Sequence, residues 1–170
     1  GSAFLYYGEE LGMKGSGKDE NKRAPMYWSK DDKAEGMCKG PADMEDFQMK
    51  FDSLEEQQED PDSIYNYVKQ VIRIRNQNPA IARGTTTYLE QYSGEQCFAL
   101  TRSYEGSNLL LLGNTSAEAV SVDLTGLTVG GTTAEELVLL GELYTGEETA
   151  ERAGTVVTLP AYSILILGEE

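Results

Sequence analysis

The hydrophobic period of this 170-residue chain changes at Gly84. Beyond that point apolar and polar residues tend to alternate, the pattern of strands with one buried face. Seven strands are predicted: Thr85–Tyr92, Gln96–Ser103, Leu109–Gly113, Ala119–Asp123, Glu136–Leu143, Thr155–Leu159 and Ser163–Leu167. Turn signals stand at Ser93-Gly94-Glu95, Glu105-Gly106-Ser107, Gly130-Gly131 and Thr145-Gly146-Glu147. Short strands at this spacing read as an antiparallel β-sandwich with Greek-key connections. Leu109–Leu112 and Ile164–Leu167 are apolar on both faces, which predicts central strands.

Before Gly84 the period is helical or absent. Ile64, Tyr67, Val68, Val71, Ile72 and Arg75 recur at three- and four-residue spacing, predicting a helix from Pro61 to about Gln77. Asp60 is its expected N-cap, Pro61 its first residue and Asp62 a favourable charge at its positive end. Asn78 before Pro79 should end it. Ala3–Tyr7 is compact and apolar, as a buried strand would be. Residues 8–60 lack a period, and an unstructured loop that long signals function or disorder. A short acidic helix is expected within Asp43–Gln58.

Charge and composition remove several function classes. Asp and Glu number 29 against 14 Lys and Arg, a formal charge of −15. That charge repels phosphate backbones, so no nucleic-acid partner is expected, whereas a neutral sugar is not penalised. No apolar run approaches the ~20 residues that span a bilayer, so no membrane partner is expected. The chain has no histidine, which excludes Ser-His-Asp and Cys-His catalysis and HExxH zinc sites. The acidic groups Asp43, Glu45, Asp46 and Glu55, Glu56, Glu59, Asp60 lack EF-hand spacing and read as solvated faces. No metal or cofactor is expected. Cys38 and Cys97 read as two thiols rather than a disulfide. The N-terminus has neither the basic nor the apolar region of a signal peptide, an expectation that leans to the cytoplasm over secretion.

Three motifs carry chemical meaning. Gly12-Met13-Lys14-Gly15-Ser16-Gly17-Lys18-Asp19 approaches a phosphate-binding P-loop. Asp19, however, stands where a Ser or Thr must hold magnesium, and Pro25 arrives too soon for the helix that should follow. Glu9 and Glu10 are adjacent acids. Glycoside hydrolysis needs two carboxyl groups ~5 Å or ~6.5–9.5 Å apart across one bond. Neighbours on a strand point to opposite faces, so these two are a poor catalytic pair; one should face inward and the other water. Asp19, Arg23, Pro25, Met26 and Trp28 form the most distinctive cluster. An Arg among acidic and aromatic residues suits sugar hydroxyls with an aromatic face on the ring, and equally suits an ion pair beneath a tryptophan.

Phe4-Leu5-Tyr6-Tyr7-Gly8-Glu9-Glu10-Leu11-Gly12-Met13, followed by Asp19-Glu20-Asn21-Lys22-Arg23-Ala24-Pro25-Met26-Tyr27-Trp28, resembles the alpha-amylase family, glycoside hydrolase family 13. There it is the eighth barrel strand and the loop after it. Ser63–Arg75 is similar to the family's eighth barrel helix, and Asn78-Pro79-Ala80-Ile81 to its exit into domain C, an antiparallel β-sandwich. The resemblance implies a mainly β chain: the last βα unit of a (β/α)8 barrel in residues 1–83, then a Greek-key domain C in 84–170. A full barrel takes eight such units in ~250 residues.

The resemblance also implies a retaining hydrolase of starch-like glucans as the complete enzyme. The family's catalytic Asp, Glu and Asp lie on earlier strands, so no catalytic residue is expected here. Arg23, in its Arg-x-Pro-Met-x-Trp context, is implied to lie near substrate, with Tyr7, Asp19 and Trp28 supporting the loop. Implied partners are an α-glucan or maltooligosaccharide and the rest of the barrel. An apolar strand without neighbours further predicts that residues 1–60 repack on the sandwich or undergo domain-swapped self-association. A stand-alone carbohydrate-binding or adhesion sandwich, with some of the ten tyrosines as sugar platforms, stays open.

Overall fold

A computed structural model describes residues 3–169. They form two compact units, one running through Gln70 and the other starting at Val71.

The first unit is mostly irregular. It holds two 3₁₀ turns, Glu9–Leu11 and Asn21–Arg23, the helix α1 (Leu54–Glu59) and the start of α2 (Ile64–Gln77). The expected strand at Ala3–Tyr7 is not formed, and Phe4 is 92% exposed. A parallel strand needs ladders on its edges, and no described strand pairs with this segment. The acidic helix is confined to Leu54–Glu59. Ser53 and Glu56 form a capping box that starts it there.

The expected start of the long helix is also corrected. It begins at Ile64 rather than Pro61. Asp60 instead closes α1, its N–H donating to the Glu56 carbonyl at 3.2 Å. Its carboxylate accepts from the Asp62 N–H at 3.0 Å, a local turn that competes with helix. The capping role falls to Ser63, whose Oγ accepts from the Asn66 N–H at 3.2 Å. The predicted stop holds: α2 ends at Gln77, and Pro79 opens the short helix α3 (Pro79–Arg83).

The second unit is built from ten strands: β1 (Thr85–Tyr88), β2 (Cys97–Tyr104), β3 (Ser107–Asn114), β4 (Val120–Asp123), β5 (Thr128–Val129), β6 (Thr132–Thr133), β7 (Val138–Leu143), β8 (Glu151–Ala153), β9 (Val156–Leu159) and β10 (Ile164–Gly168). The order β1-β2-β3-β10-β7 makes one antiparallel sheet, β4-β9-β8 a second, and β5-β6 a hairpin. The chain leaves the first sheet after β3, returns to its edge as β7, crosses to the second sheet as β8 and β9, and comes back as β10 between β3 and β7. The two strands predicted as central, β3 and β10, pair with each other in mid-sheet. Leu110, Leu112, Leu165 and Leu167 alternate along them and pack with Val122, Val157 and Leu159 of the second sheet. Each such side chain contributes about 1.5–3 kcal/mol by leaving water.

The turn between β2 and β3 is the predicted Glu105-Gly106. Both residues have positive φ, 49° and 88°, the type I′ geometry that matches strand twist. The predicted first strand is shorter than expected, and a 3₁₀ turn at Glu90–Tyr92 follows it. The strands β5, β6 and β8 were not predicted, being only two or three residues long. Helix α3 packs on β2 and β3. Arg102 of β2 fixes it there, donating to the Ala80 and Ile81 carbonyls at 3.1 and 2.8 Å.

Both cysteines are free, Cys38 exposed and Cys97 half-buried. Among the described residues no helix is long and apolar enough to cross a membrane.

Candidate functional site

The loop from Tyr6 to Ser53 has little apolar interior, so polar side chains hold its shape. Gln57 is the main tie. Only 3% exposed, it donates from Nε2 to the Leu11 carbonyl at 3.0 Å and the Asp52 carbonyl at 2.7 Å. Its Oε1 accepts from the Tyr65 N–H at 3.1 Å. One amide thus joins the start of the loop, its end and the first turn of α2. Asn21 is the second tie. It donates to the Ser16 carbonyl at 2.8 Å and the Glu45 carboxylate at 2.7 Å, and accepts from the Glu45 N–H at 3.0 Å. Gly12 lets the chain pass closely. Its φ is 63°, and a Cβ there would meet Phe51 and Ile64 at 2.6 Å.

The residues singled out from sequence lie along this frame. Tyr7 donates from its hydroxyl to the Ala24 carbonyl at 3.0 Å, tying the first segment to the residue after Arg23. Loss of water around that hydroxyl, and next the neighbouring Tyr6, raise its pKa above the ordinary tyrosine value. Asp19 pairs with Lys22 at 3.3 Å, and its carbonyl accepts from Arg23 Nε at 3.3 Å. Arg23 also meets Glu20 at 3.5 Å, yet 57% of its side chain is exposed. Trp28 is anchored through its backbone. The first free N–H groups of α1, on Leu54 and Glu55, donate to the Tyr27 and Trp28 carbonyls at 2.9 and 3.2 Å. The structure therefore brings Tyr7, Asp19 and Arg23 to one turn and seats Trp28 on α1.

Several carboxylates differ from expectation. Glu9 and Glu10 occupy a 3₁₀ turn, and both turn back onto the chain. Glu9 accepts from the Tyr6 N–H at 3.2 Å and Glu10 from the Gly8 N–H at 2.8 Å. Neither faces the other across a bond site. Glu45 and Glu56, expected as solvated faces, are structural instead. Lys30 bridges Asp52 at 2.9 Å and Glu56 at 2.5 Å. The Lys30 hydrogen bond, then those from Ser53, hold the Glu56 carboxyl below its ordinary range. The P-loop likeness finds no support: the helix it requires is replaced by a single 3₁₀ turn at Asn21–Arg23.

A cleft of 430 Å³ opens beside these residues, lined by Tyr6, Tyr7, Glu9, Lys14, Asn21 and Lys22 among others. The Tyr6 and Tyr7 rings lie 4.7 Å apart, and Lys14 and Lys22 add cationic donors to the lining. Among the described residues no cluster of three or more His, Cys, Asp or Glu could hold a metal.

Sequence reasoning missed Gln57 and Asn21. A glutamine in an acidic helix looks solvated, and the partner carbonyl on Leu11 lies 46 residues away. A capping-box signature at Ser53 and Glu56 was the one local sign that this segment is ordered.

Comparison with known proteins completes the description. The family model for the alpha-amylase catalytic domain matches residues 1–84. Alpha-amylase 3 of Dictyoglomus thermophilum is 36% identical over 84 residues, 49% of this chain and 17% of that protein. The structure of Eubacterium rectale Amy13B superposes with a TM-score of 0.90 at 43% identity, covering 100% of this chain and 32% of that one. The alpha-amylase from H. orenii gives a TM-score of 0.70 at 26% identity, covering 98% of this chain and 32% of its own. The chain spans between about a sixth and a third of these relatives.

Proposed function

Since the chain belongs to the alpha-amylase family of glycoside hydrolases, we propose that it is the C-terminal portion of an enzyme that hydrolyses α-glucosidic bonds in starch-like glucans or oligosaccharides with retention. Residues 1–83 are assigned to the last βα unit of the barrel and 84–170 to domain C. The supporting observation is the end-to-end match to Amy13B over only 32% of that protein. In this reading the chain closes the barrel and caps it, and carries no catalytic group.

Arg23 is assigned to the glucan in the complete enzyme, where its exposed guanidinium would donate to sugar hydroxyls. Tyr7, Asp19 and Trp28 are assigned to support its loop. The exposed Phe4, Leu5 and Tyr6 are assigned as surface for the rest of the barrel. Without that partner, the same segment invites self-association of the chain.

The purified 170-residue chain is expected to release no reducing sugar from maltooligosaccharides. Release above blank overturns the non-catalytic assignment. In the complete enzyme, Arg23→Ala should raise KM for maltooligosaccharides by roughly tenfold or more, the scale of a lost charged hydrogen bond. An unchanged KM removes Arg23 from the site.

A further inference from the structure

The turn that carries Arg23 is too short to hold its own shape. Asn21–Arg23 is a single 3₁₀ turn. Such a turn has poor hydrogen-bond geometry, and it fixes several residues for very few bonds. Arg23 finds no anchor beyond it. Among the described residues its guanidinium bonds the Asp19 carbonyl at 3.3 Å and the Glu20 carboxylate at 3.5 Å, both in the same stretch of chain. Contacts that long and exposed restrain a side chain weakly. The direction of the guanidinium is therefore decided by whatever fixes the turn.

Asn21 fixes it. The residue is 2% exposed. Both hydrogens of its Nδ2 are used, one on the Ser16 carbonyl at 2.8 Å and one on the Glu45 carboxylate at 2.7 Å. Its Oδ1 accepts from the Glu45 N–H at 3.0 Å. This reciprocal pair also settles which way the amide faces. Flipped, it would set a donor against the Glu45 N–H and an acceptor against two oxygens. Lys18 holds Glu45 from a third side at 3.8 Å. Gly15 lets the chain close over the turn, because a Cβ there would meet the Asn21 carbonyl oxygen at 2.7 Å. The glycine-rich segment that approaches a P-loop in sequence thus wraps an asparagine rather than a phosphate.

Asn21 lines the cleft beside Tyr6 and Tyr7, yet it has no N–H left to offer a ligand. Any effect it has on a ligand must pass through the groups it holds in place. We propose that Asn21, clasped by Glu45, is a positioning residue that sets the direction of the Arg23 guanidinium toward bound glucan. The clasp is read from the chain itself; its effect on glucan rests on the assignment of Arg23 above. An effect passed wholly through Arg23 cannot exceed the loss of Arg23, so roughly tenfold in KM is its ceiling.

The first measurement is made on the 170-residue chain: the heteronuclear NOE of the Arg23 Nε–H. The group should be ordered in the parent chain and in Glu45→Gln, which keeps an acceptor for the amide. Glu45→Ala removes one bond of the clasp and should lower the NOE. Asn21→Ala removes all three and should lower it further. Arg102, bonded to the Ala80 carbonyl, should not change in any variant. Thermal melts show whether each variant is folded, and Glu45→Ala keeps the bond to Ser16 should Asn21→Ala unfold.

The second measurement is the kinetics of the complete enzyme on maltooligosaccharides. Asn21→Ala should raise KM about three- to tenfold and leave kcat within about twofold. Glu45→Ala should raise KM less, and Glu45→Gln should restore it. Added to Arg23→Ala, Asn21→Ala should change KM no further. A residue that only stabilised the fold would show no such coupling. An Arg23 Nε–H equally ordered in the parent chain and both alanine variants overturns the proposal. So does an Asn21→Ala effect on KM that persists in the Arg23→Ala background, or an unchanged KM in Asn21→Ala where Arg23→Ala raises it. Loss of order at Arg23 in Asn21→Ala, with KM unchanged in Arg23→Ala, upholds the clasp and removes the glucan contact assigned to Arg23.

Discussion

The two units of this chain are held together by different physics. Among the described residues through Gln70, the buried apolar side chains are Leu11 and Ala24, against five buried polar ones: Asn21, Ser29, Ser53, Gln57 and Ser63. From Val71 the proportions reverse. Among its described residues eighteen buried apolar ones, mostly Leu and Val, accompany two buried polar ones, Asn114 and Ser163. The sandwich is stabilised by area removed from water, which is tolerant of detail. The loop unit depends on a few directed hydrogen bonds, each of which is costly to leave unmade. One unit therefore specifies a scaffold, and the other a particular surface.

The sharpest way to break this contrast is Leu110→Ala. Leu110 is fully buried, and its truncation should cost the sandwich about 2–5 kcal/mol. Hydrogen exchange at β3 and β10, read against denaturant, measures it. Exchange across residues 8–60 should not change; a matching loss there would mean the units do not unfold separately.

Gln57→Ala should act in the opposite place. It leaves the Leu11 and Asp52 carbonyls and the Tyr65 N–H unpaired, a cost of about 1–3 kcal/mol. Faster proteolysis between residues 8 and 60, with the sandwich amides still protected, is the expected result. Equal protection of the loop in both proteins would show that hydrogen bonds from Gln57 do not hold it.

The smallest effect is expected from acid. Glu56 titrates below the ordinary 4.5 because Lys30 and then Ser53 bond its charged form. A depressed folded pKa contributes stability that is present above the unfolded pKa and lost as pH falls through the folded one. The cap of α1 should therefore weaken as pH drops below 4.5. Asp123 and Glu136 of the sandwich are depressed in the same direction, by Thr125 and Thr133 respectively. Acid should thus trim both units gently rather than unfold one. Carboxyl NMR titration checks this: Lys30→Met should return the Glu56 midpoint toward 4.5. A midpoint that stays depressed would remove Lys30 as the main cause.

The same contrast explains what was legible in advance. The unbroken apolar runs Leu109–Leu112 and Ile164–Leu167 predicted the two central strands, because a strand covered on both faces has no polar position to alternate with. The Glu105-Gly106 turn and the stop at Asn78-Pro79 were readable because φ preferences are local. The first turn of α2 was misread because Asp60 and Ser63 are both good caps, and choosing between them required the Gln57 carbonyl that Ser63 also bonds. The strand expected at Ala3–Tyr7 failed for a related reason. A strand is completed by its neighbours, not by its own residues.

The amino-acid sequence by itself determined the class of this protein. Its period change at Gly84, its lack of histidine and the phrase from Phe4 to Trp28 led to an alpha-amylase family chain ending in a β-sandwich. Only the tertiary structure decided how the loop is held. Gln57 reaches Leu11 across 46 residues, and Asn21 reaches Glu45 across 24. A hydrogen bond between distant residues leaves no periodic trace in the chain. Apolar burial does, because it repeats with every turn of the backbone.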